Sequence, residues 1–183
     1  MACLNAGRVR ESAFVQGRSA LGGPSVCGAL KPFEVAAVDG GTVALRPAAL
    51  LRCSMVPAVD YWMRQFVVPA AFAHFGQPVV EIKVAASYSC RAINHVSGGR
   101  LSEHGHANAL DVSGFRLGDG RLVTVKAGWS GDPTESRFLR AVHGGGCQVF
   151  STVLGPMADA HHQDHFHLDL ARHGRTGMMR VCR

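Results

Sequence analysis

No apolar run in the chain reaches the ~18 residues that a membrane-spanning helix needs, so a helical membrane protein is excluded. The first ten residues, MACLNAGRVR, lack the apolar core of a secretory signal, so an exported form would stand here already trimmed. No two cysteines form a C-x-x-C pair, which argues against a zinc ribbon or a thioredoxin-like motif. Lysine and arginine never run together, zinc-finger spacing is missing, and no aromatic residues interleave with a basic patch. Nucleic acid is therefore not expected as a partner. Ser102 has no G-x-S-x-G context, which sets aside a serine hydrolase. Internal repeats and low-complexity linkers are missing as well.

What remains is a chain of 183 residues with an ordinary apolar share of 47%, enough to bury a real core in one domain. Its net charge of +6 favours an anionic partner such as an envelope polymer or a membrane surface. Cys3, Cys27, Cys53, Cys90, Cys147 and Cys182 are even in number, widely spaced and spread to both ends. That pattern suits a disulfide framework in an oxidising compartment, with the pairing left open.

Residues 1–50 read as a Gly-rich, irregular N-terminal extension packed on the core, and residues 51–183 as the main domain. Within the extension, FEVAAVDGGTVALRP predicts a hairpin about Asp39-Gly40-Gly41. Ser54 to Phe75 reads as a helix, with an apolar stripe of Val59, Met63, Phe66, Val67 and Ala70. Gly76 ends it, and Pro69 should kink or split it. VVEIKVAAS alternates as a strand. ALDVSGFRL is a second, returning after a Gly-Asp-Gly turn as RLVTVKA. Asp132, Pro133 and Glu135 open a short helix that buries Phe138, Leu139 and Val142 and stops at HGGGC. CQVFSTVL and HFHLDL are the last strands. Trp62, Phe66 and Phe72 are expected in the core, and Trp129 is assigned to packing rather than to a substrate groove. The order of elements predicts an α+β fold: a central, mostly antiparallel sheet flanked by helices, with the functional site on a sheet face.

The stretch HHQDHFHLD carries four of the ten histidines. As a strand, HFHLDL turns His165, His167 and Asp169 to one face and Phe166, Leu168 and Leu170 to the other, the core face. Earlier, SEHGHANALDVSGF sets His104 in a loop of small residues and Asp111 at the start of a strand. Gly105, Ala107 and Ala109 would let that loop fold back closely. His104, Asp111 and one histidine of DHFH make a two-histidine, one-carboxylate set. Three protein ligands leave a fourth position for water, the pattern of a catalytic zinc site. Asp164, at the strand mouth, is a candidate base. His106, His161 and His173 are expected beside the ligands or on the surface, and Ser102, Glu103 and Asp169 could orient them.

From about Cys27 to Cys182 the sequence resembles the bacterial extensin-like C-terminal family, through HFGQPV, SYSCRAIN, GRLSEHGHANALDVSGFRL, FLRAV, TVLGP and DHFHLDL. Through that family it resembles the wider zinc metallopeptidase group of D-Ala-D-Ala carboxypeptidases and murein endopeptidases. The group's S-x-H-x6-D signature, with a later D/E-x-x-H or H-x-H, is met by Ser102, His104, Asp111, Asp164, His165 and His167. The resemblance implies His104, Asp111 and His167 as zinc ligands and Asp164 as general base. It implies His165 as the histidine that helps hold the tetrahedral intermediate, His162 as a rival base, and Arg91 as the cation that steadies the oxyanion. The base would be Asp where carboxypeptidases of the group mostly use Glu. With eight prolines and no Pro-rich repeats, the chain is not a plant-type structural wall protein.

The expected function is an exported, zinc-dependent peptidase acting on peptidoglycan stem peptides or their cross-links. The alternatives are a non-catalytic wall-binding protein that keeps the zinc, and a metal-binding interaction domain, as the hedgehog signalling domain is within the wider group. All share the ligands. The base and the oxyanion donor separate them, and both are present as Asp164 and Arg91.

Overall fold

Alternating apolar and polar residues build most of a single large sheet. The computed structural model of the chain describes residues 9–23, 26–93 and 99–183, so Cys3 lies outside the described residues. Short strands come first: β1 (Val15–Gly17), then β2 (Leu21–Gly22) and β3 (Gly28–Ala29), which pair only with each other. The hairpin expected about Asp39 follows as β4 (Pro32–Val38) and β5 (Val43–Arg52), with Gly40 and Gly41 at φ 67° and 100° in the turn. Val35, Leu45, Ala49 and Leu51 are fully buried, and the expected boundary after residue 50 falls within β5.

The remaining strands are β6 (Val79–Ala86), β7 (Ala109–Leu117), β8 (Leu122–Thr124), β9 (Thr152–Leu154), β10 (Phe166–Asp169) and β11 (Val181–Cys182). The nine-stranded sheet runs β1-β4-β5-β6-β7-β10-β9-β11, with β8 paired beside the far half of β7. Among the described residues only β5/β6 and β9/β11 are parallel, giving the expected α+β fold with a largely antiparallel sheet.

The first long helical segment is α1 (Met55–Trp62), a π turn (Met63–Val67) and α2 (Val68–Phe75), closed by Gly76 at φ 66°. Pro69 accounts for the π turn. It has no N–H to give the preceding turn, and its ring crowds the carbonyl four residues back, so the helix widens there. Phe72 is 52% exposed, contrary to the expected core position, whereas Trp62 is fully buried and donates from Nε1 to the Val142 carbonyl at 3.0 Å. Trp129 is packed as expected, against His143 and Phe166.

Two boundaries differ from the sequence reading. RLVTVKA is strand only to Thr124. The Thr124 hydroxyl accepts from Ala127 N–H at 3.2 Å and starts α3 (Val125–Gly128). The helix opened by Asp132, which accepts from Thr134 and Glu135 N–H, does not stop at HGGGC. It runs on as α4 (Pro133–Val149), so Cys147 to Val149 are helical and β9 begins at Thr152. Packing explains the continuation. A Cβ on Gly145 would lie 2.4 Å from Phe66, and one on Gly146 3.5 Å from Trp62 Nε1. Gly145 lets α4 approach the π turn closely, and that contact outweighs its poor helix propensity, whereas a Cβ on Gly146 would make an ordinary contact.

A paired substitution checks this reading. Gly144 has nothing within 4 Å of a built Cβ. Gly144→Ala is expected to stabilise the fold by about 0.5–1 kcal/mol through propensity alone. Gly145→Ala is expected to lose about 1–3 kcal/mol, because overpacking against Phe66 exceeds the same gain. Urea unfolding of both variants reads the opposite signs directly.

Among the described residues, disulfides join Cys27 to Cys90 and Cys147 to Cys182, across 63 and 35 residues of chain. In the chain-entropy view each loop closure is worth about 4 kcal/mol. The second ties β11 to α4. No helix among the described residues is long and apolar enough to cross a membrane.

Candidate metal centre

Strand register sets the floor of the site. His167 of β10 stands directly opposite Asp111 of β7, so their side chains leave the sheet together. His104 comes from a short 3-10 turn, Glu103–His106, opened by the Ser102 hydroxyl, which accepts from His104 N–H at 3.4 Å. Ala107, at φ 51°, turns the chain back from there toward β7. Gly105 lets this turn sit close: a Cβ there would lie 2.9 Å from Leu101 and 3.2 Å from Cys27 Sγ.

The segment just after β6 braces the same turn. Ser89 N–H donates to the His104 carbonyl at 3.2 Å, and Ser102 N–H to the Arg91 carbonyl at 3.0 Å. The Cys27–Cys90 disulfide holds this segment beside Gly105.

The three side chains converge tightly. His104 Nε2 is 3.0 Å from Asp111 Oδ2, His167 Nδ1 is 2.9 Å from Asp111 Oδ1, and the two nitrogens are 3.2 Å apart. His104 and Asp111 are buried, and the His167 side chain is 12% exposed. Outer partners fix each ring. A carbonyl can only accept, so the Ser87 oxygen holds the proton on His104 Nδ1. The Asp169 carboxylate accepts from His167 Nε2 at 2.8 Å, as the sequence allowed for. Both inward nitrogens are left as lone pairs facing a carboxylate, and such a cluster demands a positive charge at its centre. Tetrahedral ligands at about 2.0–2.1 Å from an ion lie about 3.3–3.4 Å from one another. The observed spacing needs only a few tenths of an ångström of opening, so this cluster could hold a metal ion. A second grouping, His143 with Cys147 and Cys182, has its two sulfurs joined in a disulfide and offers no thiolate.

Without an ion, a proton takes that place. Burial alone would lower the His167 pKa, but its bonds to Asp111 and Asp169 and their negative charges raise it from 6.5 to about 9. Burial alone would raise Asp111, yet the bonds and charges of His104 and His167 hold it well below the usual carboxylate range. A metal held by this cluster would have to displace the His167 proton. Binding is therefore expected to tighten about tenfold per pH unit from about pH 7 to about pH 9, then level off. Because the folded pKa is raised, the proton's contribution to metal-free stability is full below about pH 6.5 and lost as pH rises through about 9. Calorimetric titration with zinc across this window checks the slope, and an affinity independent of pH would remove His167 from the ligand set.

The other sequence candidates gather around the cluster. Arg91 Nη2 lies 3.6 Å from Asp111 Oδ2. His165 Nε2 lies 3.8 Å from the same oxygen, and its Nδ1 donates to Asp164 Oδ1 at 2.8 Å. The Asp164 side chain is 62% exposed, and its bond to His165 holds its pKa below the ordinary value. His162 is buried, donates from Nδ1 to Asp159 Oδ1 at 2.7 Å, and has its ring 5.3 Å from that of His165. Burial pushes its pKa down despite Asp159. All but Asp164 line one cleft of about 280 Å³ over the cluster. His161 and His173 line it too, the latter bonded to the Thr152 hydroxyl at 2.7 Å. Glu103 lines the cleft as well and accepts from Asn108 Nδ2.

Sequence reasoning missed the Ser87 carbonyl and Asp159. A backbone acceptor leaves no trace in residue type. Asp159 could have been suspected from its position three residues before His162, where an aspartate caps a short 3-10 turn, as it does here.

A family model described as "Extensin-like protein C-terminus" matches residues 1–183. Comparison with curated proteins and with solved structures finds no match.

Proposed function

The chain belongs to the extensin-like protein C-terminus family, and on that premise we propose that it is an exported zinc peptidase that cleaves the peptide cross-links of peptidoglycan. The observation that carries this reading is the convergence of His104, Asp111 and His167 at the floor of a cleft, with a non-ligating imidazole and a guanidinium beside them. Two imidazoles and one carboxylate are a donor set suited to zinc. A bound zinc would polarise the scissile carbonyl and lower the pKa of a water.

The chain's own residues do the rest. The Asp164 carboxylate keeps the His165 proton on Nδ1, leaving Nε2 bare toward the cluster. Asp164, expected as the base itself, does not line the cleft, so we place the base on His165 instead of its expected hold on the tetrahedral intermediate: Nε2 takes the proton of the attacking water, Asp164 stabilises the imidazolium, and the proton passes to the leaving amine. Arg91 meets the charge that develops on the carbonyl oxygen. His162, held by Asp159, lines the same cleft and is the rival base.

The disulfides support an oxidising compartment such as the periplasm, and the net charge of +6 suits an anionic wall polymer. The test is incubation of a purified cross-linked muropeptide dimer with zinc-reconstituted and chelator-stripped protein. Conversion to monomers by the zinc form alone supports the proposal. An intact dimer in both samples removes it.

A further inference from the structure

Beside the metal cleft, and sharing Arg100 and Glu103 with its lining, lies a second pocket of about 560 Å³. Three guanidinium-bearing residues from separate parts of the fold meet around it. Arg52 ends β5, Arg100 precedes the turn that carries His104, and Arg172 follows β10. His106 adds a further basic group. Among the described residues, no carboxylate lies within ion-pair distance of Arg52, Arg100 or Arg172. The pocket's one acidic residue, Glu103, is tied to Asn108 Nδ2 at 2.6 Å. All three arginines are exposed, and guanidinium groups match a carboxylate by paired N–H donors.

The proposed activity supplies such an anion. A stem peptide carries free carboxylates, which the paired donors of guanidinium groups fit. Asn108, at the pocket wall, holds Glu103 through its Nδ2.

We propose that this second pocket is a substrate subsite for a carboxylate-bearing peptide segment, with the carboxylate among Arg52, Arg100 and Arg172. The proposal rests on the peptidase reading above, since it places one part of the peptide here while another part lies over the metal cluster.

The experiment compares two fluorescent probes, a stem tetrapeptide with free carboxylates and its carboxamide counterpart. Both are titrated into zinc-loaded protein and into zinc-loaded Arg52→Gln and Arg172→Gln variants, and fluorescence anisotropy gives Kd. These side chains belong to exposed residues, so the variants should fold, and retained zinc content verifies it. The unmutated protein is expected to bind the free-carboxylate probe about tenfold more tightly than the carboxamide, and each variant to lose most of that preference. Equal affinity for both probes, or variants that keep the full preference, would overturn the proposal. Binding is read without turnover. Arginine-dependent binding with no hydrolysis of any peptide would therefore remove the peptidase reading and leave the subsite standing. Hydrolysis with KM unchanged in both variants would do the reverse.

Discussion

Alanine at Asp111 is expected to abolish metal binding and every activity that depends on it. Its two oxygens contact both ligand histidines, and without it two imidazole lone pairs 3.2 Å apart face each other with no counter-charge for an ion. Zinc content should fall from about one per chain to near zero. A ligand at a hundred times its Kd stabilises a fold by about 2.7 kcal/mol, which for a chain of this size raises Tm by roughly 5–10 °C. The unmutated protein should show that rise on adding zinc, and the variant none. Asp111→Asn, neutral but of the same shape, separates charge from packing: it should fold, and it too should lose most of the zinc-induced rise. A variant that kept stoichiometric zinc would show that the ion sits elsewhere.

Alanine at His165 is expected to do the opposite, sparing the metal while lowering kcat by roughly 10²–10⁴-fold, the range for loss of a positioned acid–base group. His165 is not one of the three converging residues, and its Nε2 lies 3.8 Å from Asp111 Oδ2. Asp164→Ala should lower kcat by roughly 10–100-fold, the cost of losing an orienting partner. Its side chain is 62% exposed, so stability should change by no more than about 0.5 kcal/mol. Full activity in both His165→Ala and Asp164→Ala would move the base to His162, which Asp159 already holds in one tautomer. Steady-state kinetics on a cross-linked muropeptide, with zinc content measured in each variant, separates the two assignments.

The site was more legible than the scaffold that holds it, for a physical reason. Period-two alternation in ALDV and HFHLD puts Asp111, His167 and Asp169 on definite faces, and antiparallel pairing then brings them opposite each other. That the paired residues are Asp111 and His167, rather than Asp111 and His165, depends on register, which neither strand encodes alone. The HGGGC stretch failed as a helix stop because local propensity was read without its neighbours. Gly145 is small for the sake of Phe66, some eighty residues earlier in the chain, and α4 continues through the three glycines. Thr124 has the opposite lesson. A β-branched residue in an apolar run reads as strand, while here its hydroxyl caps a helix. The bond from His104 to the Ser87 carbonyl could not be read at all, since it depends on where the chain passes and not on which residue stands there.

The most direct test is digestion of purified peptidoglycan by zinc-loaded protein beside its His167→Ala variant, with the products separated by liquid chromatography and weighed by mass spectrometry. Loss of cross-linked species with the unmutated protein alone is the expected result, and the product masses would name the bond. An unchanged digest from protein that demonstrably holds zinc and pellets with the polymer would contradict the peptidase assignment and leave a wall-binding protein in its place.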